Sequence, residues 1–258
     1  MKINPKVSII IAYHRKKKYF KKTLNSILSQ TYKKYEIILI YDDKNFDELQ
    51  YVKELLKKFS NKKLIVNKNI LGPGLSRNKG ISLAKGKYIA FCDADDLWKK
   101  NKLETQISFM EKNKLNFSHS SYLIIDKNDK KIGKFNISSK IKFKNLIRSC
   151  DIGLSTVILK KHLIKNKTKF CKLKTKEDYF LWLQIIKKEK YLYGISKYLG
   201  SWRYLEDSLS SSLKQKLIDA FRLYNMYERY NSFTSFLYVI RLSFYAFLKK
   251  IKIWKTSL

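Results

Sequence analysis

The chain is short of cysteine, acidic residues and arginine, and each shortage closes off a class of function. Its three cysteines, Cys92, Cys150 and Cys171, form no CxxC pair and no zinc-ligand spacing, and an odd number does not suggest a disulfide framework. A reduced cytosolic compartment is expected. Only 21 Asp and Glu stand against 56 Lys and Arg, a formal charge of +35, which is the balance of a nucleic-acid- or membrane-binding protein. Just seven of those basic residues are arginine, however, and the accompanying richness in Lys, Ile, Asn, Tyr and Phe is what an AT-rich coding sequence produces. The charge is therefore assigned to phosphate-bearing substrates and anionic lipid headgroups, with no nucleic-acid partner expected. No apolar run reaches the roughly 20 residues of a membrane span. The run in MKINPKVSIIIAY is too short for a signal peptide and has no cleavage site after it, so it reads as a first strand. The turn Gly72-Pro73-Gly74 fits neither GxGxxG nor GK[ST] spacing, which weakens a nicotinamide or P-loop reading.

What is present is core material. A chain of 258 residues that is 45% hydrophobic and 14% aromatic fills one sizeable core. Val7 to Ala12, Glu36 to Tyr41, Leu64 to Val66 and Tyr88 to Cys92 read as strands, continuous in apolar character as strands buried on both faces are. Between them, Lys18 to Gln30 and Phe46 to Phe59 have helical periodicity, and helical spacing resumes through Leu75, Ile81 and Leu83. Alternation of this kind predicts an α/β fold, a Rossmann-like, mostly parallel central sheet with flanking helices. Right-handed crossovers put the strand ends on one edge, where open sheets bind ligands.

That edge collects carboxylates. Asp42 and Asp43 follow the second strand, and Asp93, Asp95 and Asp96 follow the fourth. Asp93 and Asp95 can approach one hard divalent cation, Mg²⁺ or Mn²⁺, whose other ligands are waters and phosphate. The alternative is an acidic turn, with Asp96 capping a helix from about Lys99. Arg77 is positioned to meet a phosphate or to pair with Asp42, Asp93 or Asp96. Gly80, inside a helix at a cost of about 1 kcal/mol relative to Ala, suggests a close backbone approach. Further on, Leu115 to Ile125 and Lys130 to Phe135 read as a hairpin, Ile141 to Arg148 as a short helix and Ser155 to Leu159 as a strand. Glu177 and Asp178 open a helix within Lys174 to Ile186, a placement the helix dipole favours. His119 and His162, with no ligand partners, read as structural.

The succession VSIIIAYHR, SILSQTYKKYEIILIYDD and GLSRNKGISLAKGKYIAFCDADD resembles family 2 glycosyltransferases of GT-A fold, over about Val7 to Gln184. The resemblance implies an inverting enzyme that moves a sugar from a nucleotide diphosphate sugar, a UDP-sugar first of all, to a glycan or lipid-linked acceptor in cell-surface polysaccharide or lipopolysaccharide biosynthesis. It implies Asp42 at the nucleobase, with Ala12, Tyr13 and Arg77 beside the donor, and Asp93-Ala94-Asp95 as the DxD element. Within that element Asp95 ligates the divalent ion, Mg²⁺ or Mn²⁺, while Asp93 lies by the ribose and sugar. Asp178 is implied as the general base. Arg203, with Ser208 or Ser210, would come from a loop at Tyr198 to Ser212 that closes over the donor. Glu177, Trp98, Trp182 and Trp202 are candidates for the acceptor side, although large aromatics are more often core. Where the family often has Pro-Thr-Tyr-Asn, this chain has Ala12, Tyr13 and His14, and the nucleobase turn reads Tyr41, Asp42, Asp43, Lys44.

The expected division is a catalytic domain over 1–205, with a nucleotide half 1–98 and an acceptor half 99–205, followed by a basic, aromatic C-terminal helical appendage over 206–258. In the appendage the run from Phe233 to Leu248 is apolar, broken by Arg241 and followed by lysines. It suits an interfacial helix on an anionic membrane, at the inner face of the cell membrane, or a helix packed on the domain. A polyprenyl-phosphate sugar transferase would share the nucleotide half and differ in acceptor. A non-enzymatic basic protein that binds membrane or nucleic acid would leave the gathering of carboxylates at strand ends unexplained.

Overall fold

The computed structural model describes residues 5–165, 167–206, 208 and 212–255, with side chains as far as residue 251. Four parallel strands form the expected half: β1 (Val7–Tyr13) lies between β2 (Tyr35–Tyr41) and β4 (Tyr88–Phe91), and β2 is flanked by β3 (Lys62–Val66). Beyond β4 the sheet turns mixed. After β5 (Leu97–Trp98) come the hairpin β6 (Phe117–Ile125) and β7 (Lys131–Phe135), then β8 (Lys140–Lys142), β9 (Ile158–Lys160) and β10 (Tyr191–Arg203). The order along the sheet is β3-β2-β1-β4-β9-β6-β10-β5, with β7 on β6 and β8 on β10.

Alternation along the strands sorts the helices into layers. Ile9, Ile11, Ile37 and Leu39 pack against α1 (Lys17–Leu28), α2 (Phe46–Leu56) and α4 (Lys102–Lys112). Ile10, Ile38, Ile40 and Phe91 pack on the other face with α3 (Pro73–Ser82) and α6 (Glu177–Glu189). Short α5 (Phe143–Leu146), α7 (Leu213–Arg222) and α8 (Ser232–Lys255) complete the helices, and Ala220, Tyr224, Val239 and Leu242 of the C-terminal segment join this second core. The C-terminal helices therefore pack on the domain. Ser212 caps α7, its Oγ accepting from Gln215 N at 3.3 Å.

Several local expectations are corrected. Residues 140–142 are a strand and only Phe143–Leu146 is helical. The segment beginning at Ser155 is a 3₁₀ turn, with strand from Ile158. Asp96 does not cap a helix; it is buried and accepts from Arg203 N at 2.9 Å, while α4 starts at Lys102. Tyr198 to Arg203 is sheet, the end of β10, and not part of a loop.

Gly80 is where α3 meets β1: a Cβ there would come within 2.7 Å of Ile10 Cγ2. Overpacking of that kind costs about 1–3 kcal/mol, more than the roughly 1 kcal/mol that Ala gains over Gly in a helix. Gly80→Ala is expected to lower the urea midpoint, and a raised midpoint would show that Ile10 yields freely. Lys102 is fully buried beside Gln106, Thr156 O and the Trp98 ring, and burial pushes its ammonium down to about 7 from the ordinary 10.5. Between those values the unfolded chain holds a proton that the folded chain does not, so stability rises with pH across that window. Lys102→Met should flatten this rise in urea titrations run from pH 7 to 10, and an unchanged slope would assign the rise to other groups.

Candidate active site

Asp42, at the end of β2, spends both carboxylate oxygens on the loop that starts α3. Oδ1 accepts from Leu71 N at 2.9 Å and Asn67 Nδ2 at 2.8 Å, and Oδ2 accepts from Gly72 N at 2.8 Å. Gly72, at φ 85, takes the left-handed turn that sends Pro73 into the helix. This fixes the entry of α3, and α3 then grips the segment ahead of α6. Asn78 exchanges two hydrogen bonds with the backbone of Phe170, at 2.8 and 3.0 Å. A Cβ on Gly74 would stand 2.5 Å from Cys171 O, so only glycine allows this approach.

Arg77 comes out of that arrangement at the centre of the site. One end of its guanidinium donates to Asp93 Oδ1 at 2.8 Å and the other to Glu177 Oε1 at 2.6 Å, over the face of Phe170. The pairing expected with Asp93 is present; those with Asp42 and Asp96 are not. Glu177 is consequently a buried ion-pair partner and not an open acceptor contact, and burial raises its carboxyl to about 7 against the pull of Arg77. Asp178, next in the first turn of α6, is partly exposed and accepts from Tyr179 N at 2.7 Å through Oδ1. Burial raises its carboxyl also, opposed by Arg77. A carboxylate raised this way is a better proton acceptor than an exposed one.

On the β4 side, Asp93 is one-third exposed and Asp95 is paired with Lys16 at 2.7 Å. Burial raises the Asp95 carboxyl while Lys16 lowers it, and Asp96, buried beneath them, is pushed well up by burial and by Asp95 and Asp93. Ala94 is buried under α1, where its carbonyl accepts from Thr23 Oγ1 at 3.1 Å. Among the described residues no group of three or more His, Cys, Asp or Glu is arranged as a metal cage. Two partly exposed carboxylates on one turn nonetheless fit a hard ion that draws its remaining ligands from water and a diphosphate.

Other candidates fall elsewhere. The Tyr13 side chain lies in the α1–α2 layer, where its hydroxyl donates to Glu48 at 2.5 Å and its ring stacks on Tyr41; only its backbone, which accepts from Asp42 N, and half-buried Ala12 line the strand end. Arg203 does not reach for a diphosphate. Its side chain is fully buried, donating to Asp95 O and Asp126 O at 2.9 and 2.8 Å, in a charge contact with Asp129 at 2.6 Å and over the Tyr19 ring. Trp182 sits in the core against Phe91, Phe117 and Phe170, and Trp98 is buried with its indole N–H on Ser155 O. Neither is an acceptor wall; Trp202 is exposed. Ser208 is described, whereas Ser210 and Ser211 lie outside the described residues. His119 is buried and burial pushes its ring down to about 3, and His162 is exposed. Sequence reasoning missed Lys16, which sits in a run of basic residues with nothing to mark it, and the Arg77–Glu177 pair, whose members are 100 residues apart.

Residues 8–168 match the profile described as Glycosyl transferase family 2. The chain is 39% identical over 181 residues, 70% of each chain, to an Escherichia coli protein named UDP-Glc:alpha-D-GlcNAc-diphosphoundecaprenol beta-1,3-glucosyltransferase WfgD. In fold it is similar to S. aureus TarS 1-349 in complex with UDP-GlcNAc, with a TM-score of 0.70 at 20% identity over 89% of this chain and 69% of that one. It is likewise similar to the mannosyltransferase PcManGT from Pyrobaculum calidifontis in complex with GDP-Man and Mn²⁺, with a TM-score of 0.66 at 13% identity over 92% of this chain and 69% of that one. The matched span contains the three strand ends, Arg77 and the Asp93–Asp95 turn, and the chain belongs to glycosyl transferase family 2, as a glycosyltransferase of GT-A fold.

Proposed function

We propose that this chain transfers a sugar, with inversion, from a UDP-sugar to a saccharide carried on a lipid diphosphate. The observation that carries the reading is the double grip of Arg77, which holds the Asp93–Asp95 turn and the Glu177–Asp178 helix start together through one guanidinium. Donor and acceptor chemistries are thereby set opposite one another. The name of the E. coli relative, with its UDP-Glc donor and diphosphoundecaprenol-linked acceptor, supports the choice of donor and acceptor classes.

The donor lies along the ends of β1, β2 and β4. Asp95 and Asp93 are the residues that would hold a divalent ion, Mg²⁺ or Mn²⁺, which when bound neutralises the departing diphosphate. Arg77 keeps Asp93 oriented through its hydrogen bond to Oδ1. Asp42 contributes to the nucleobase end by shaping the turn at Leu71 and Gly72, and Asp43 and His14 border it, His14 Nδ1 lying 2.8 Å from Asp42 O and 3.2 Å from Asp43 Oδ2. Asp178 acts as general base. Its Oδ1 is held by Tyr179 N, which leaves Oδ2 to take the proton of the acceptor hydroxyl as the new bond forms on the face opposite the leaving group. Glu177, neutralised by Arg77, keeps Asp178 on the exposed side of the helix start.

The calorimetric test compares UDP, dTDP, GDP and CMP with and without Mn²⁺ on wild type and Asp95→Ala, and transfer on Asp178→Asn. We expect Mn²⁺-dependent UDP binding that Asp95→Ala loses and Asp178→Asn retains, with transfer falling by about 10²-fold or more in the latter. Turnover near wild type in Asp178→Asn removes the base from this reading. UDP affinity that ignores Asp95 removes the metal–diphosphate site.

A lipid-linked acceptor calls for a membrane surface, and α8 offers one. No helix among the described residues is long and apolar enough to cross a membrane. One side of α8 packs on the domain: Val239 and Leu242 are buried, and Arg241, which breaks the apolar run in the sequence, turns under to lie over Tyr238 and near Ile147 O. The opposite side exposes Phe233, Phe236, Ile240, Phe244, Phe247 and Ile251, recurring every three or four residues as an interfacial helix does. Ile240→Glu with Phe244→Glu should lower cosedimentation with anionic vesicles by tenfold or more, since each buried side chain is worth about 1.5–3 kcal/mol. Unchanged partitioning would leave the stripe without a membrane role.

A further inference from the structure

Of the four consecutive basic residues Arg15 to Lys18, only Lys16 turns inward. The turn that aims it is held from outside. Arg15 takes the left-handed conformation at φ 49, its N–H donates to Asp43 Oδ2 at 3.1 Å, and the Lys16 carbonyl accepts from Tyr19 N and Phe20 N as α1 begins. A non-glycine residue in that region is uncommon and persists where its surroundings impose it. The result is an ammonium 2.7 Å from Asp95 Oδ2, with the lysine side chain one-quarter exposed and the carboxylate 13% exposed.

An ammonium and a hard divalent cation seek the same oxygen. With Arg77 shared between Asp93 and Glu177, and Lys16 on Asp95, the two carboxylates of the β4 turn that reach solvent each already have a cationic partner. A divalent ion entering alone must take Asp95 from Lys16 and leaves the turn with surplus positive charge. An ion that arrives with a diphosphate brings the compensating negative charge, and the flexible lysine stem lets the displaced ammonium follow the phosphates. We propose that Lys16 is a built-in counter-cation for Asp95 that a divalent ion must displace, so that metal and nucleotide diphosphate bind well only together. The inference rests on the metal–diphosphate reading of the site and adds the residue that makes the two ligands interdependent. Linkage makes the effect reciprocal: the factor by which UDP tightens metal equals the factor by which metal tightens UDP.

The test is direct Mn²⁺ binding to the full chain, read from the electron paramagnetic resonance of free Mn²⁺ with and without UDP. The proteins are wild type, Lys16→Met, Lys16→Arg and Lys17→Met, with Lys16→Gln in place of Met if that variant does not fold. Lys17, exposed and lying over the Tyr51 ring, changes the same net charge away from Asp95. Lys16→Met is expected to bind Mn²⁺ alone about tenfold more tightly, within the usual 5–150-fold range of coupled sites, and to narrow the gain from UDP by the same factor. Lys16→Arg and Lys17→Met should stay within about twofold of wild type, a margin of roughly 0.4 kcal/mol. Unchanged Mn²⁺ affinity in Lys16→Met, with UDP-dependent binding intact, overturns the role of Lys16 and leaves the metal–diphosphate reading standing. An equal gain in Lys17→Met overturns it in favour of long-range charge. No Mn²⁺ binding to wild type even with UDP overturns both readings.

Discussion

The buried guanidinium of Arg77 is the constraint on which the rest depends. Taking a charge out of water is expensive unless it is paired and hydrogen-bonded, and breaking such a pair typically costs about 3–5 kcal/mol because the partner is left stranded. Here one cation serves two carboxylates that the chain contributes 84 residues apart, Asp93 from the end of β4 and Glu177 from the start of α6. Its position descends from Asp42, which fixes the turn into α3, and from Asn78 and Gly74, which bring the segment at 170–171 against that helix. The strand-end carboxylate expected at the nucleobase is thus also the residue that sets the geometry of the opposite wall.

That arrangement produces a gradient of carboxylates with different tasks. Asp96 is buried, where Arg203 N holds it, and burial pushes its carboxyl well up. Glu177 is tied to Arg77 and Asp95 to Lys16. Asp178, the proposed base, is partly exposed and has Oδ1 bound by Tyr179 N. Acidic residues are scarce in this chain, 21 against 56 basic, and their concentration at one sheet edge is a property of the fold that net charge conceals. Surface lysines are many and little constrained; the few carboxylates nearly all have named partners.

The parallel part of the sheet was legible because its strands are buried on both faces, so β1, β2 and β4 stand out as apolar runs ending in charge. Gly80, read as a close approach, does pack against Ile10. Less could be read where neighbours are distant in sequence. β10, with Gly194, Gly200 and three register-shifted or exposed positions at Ser196 to Tyr198, has neither period two nor an apolar run, so its end reads as a loop in the sequence. Arg203 follows from this: its partners Asp95, Asp126 and Asp129 come from two other connections, and only the folded sheet shows that they hold its guanidinium inside the protein. Trp98 and Trp182 likewise look the same in a sequence whether they line a cleft or fill a core.

The C-terminal helices join these threads. Read as a string, Arg241 interrupts an apolar run and counts against insertion; in the fold it faces inward, and the exposed side of α8 is apolar from Phe233 to Leu248. The packed side is anchored to the connection after α5, where Lys249 donates to Cys150 O at 2.7 Å and Asp151 at 2.9 Å, while Tyr224 and Tyr179 of α6 donate to the carbonyls of Ile147 and Leu146. One stretch of backbone, residues 146–151, therefore touches both the helix that carries the proposed base and the helix that carries the apolar stripe. A surface that engages the stripe is held at a fixed distance from Asp178 by packed side chains, which transmit position because cores are dense and resist deformation. Under the proposed function, a lipid-linked saccharide tethered in that surface would need only to reach a base whose height above it is already set.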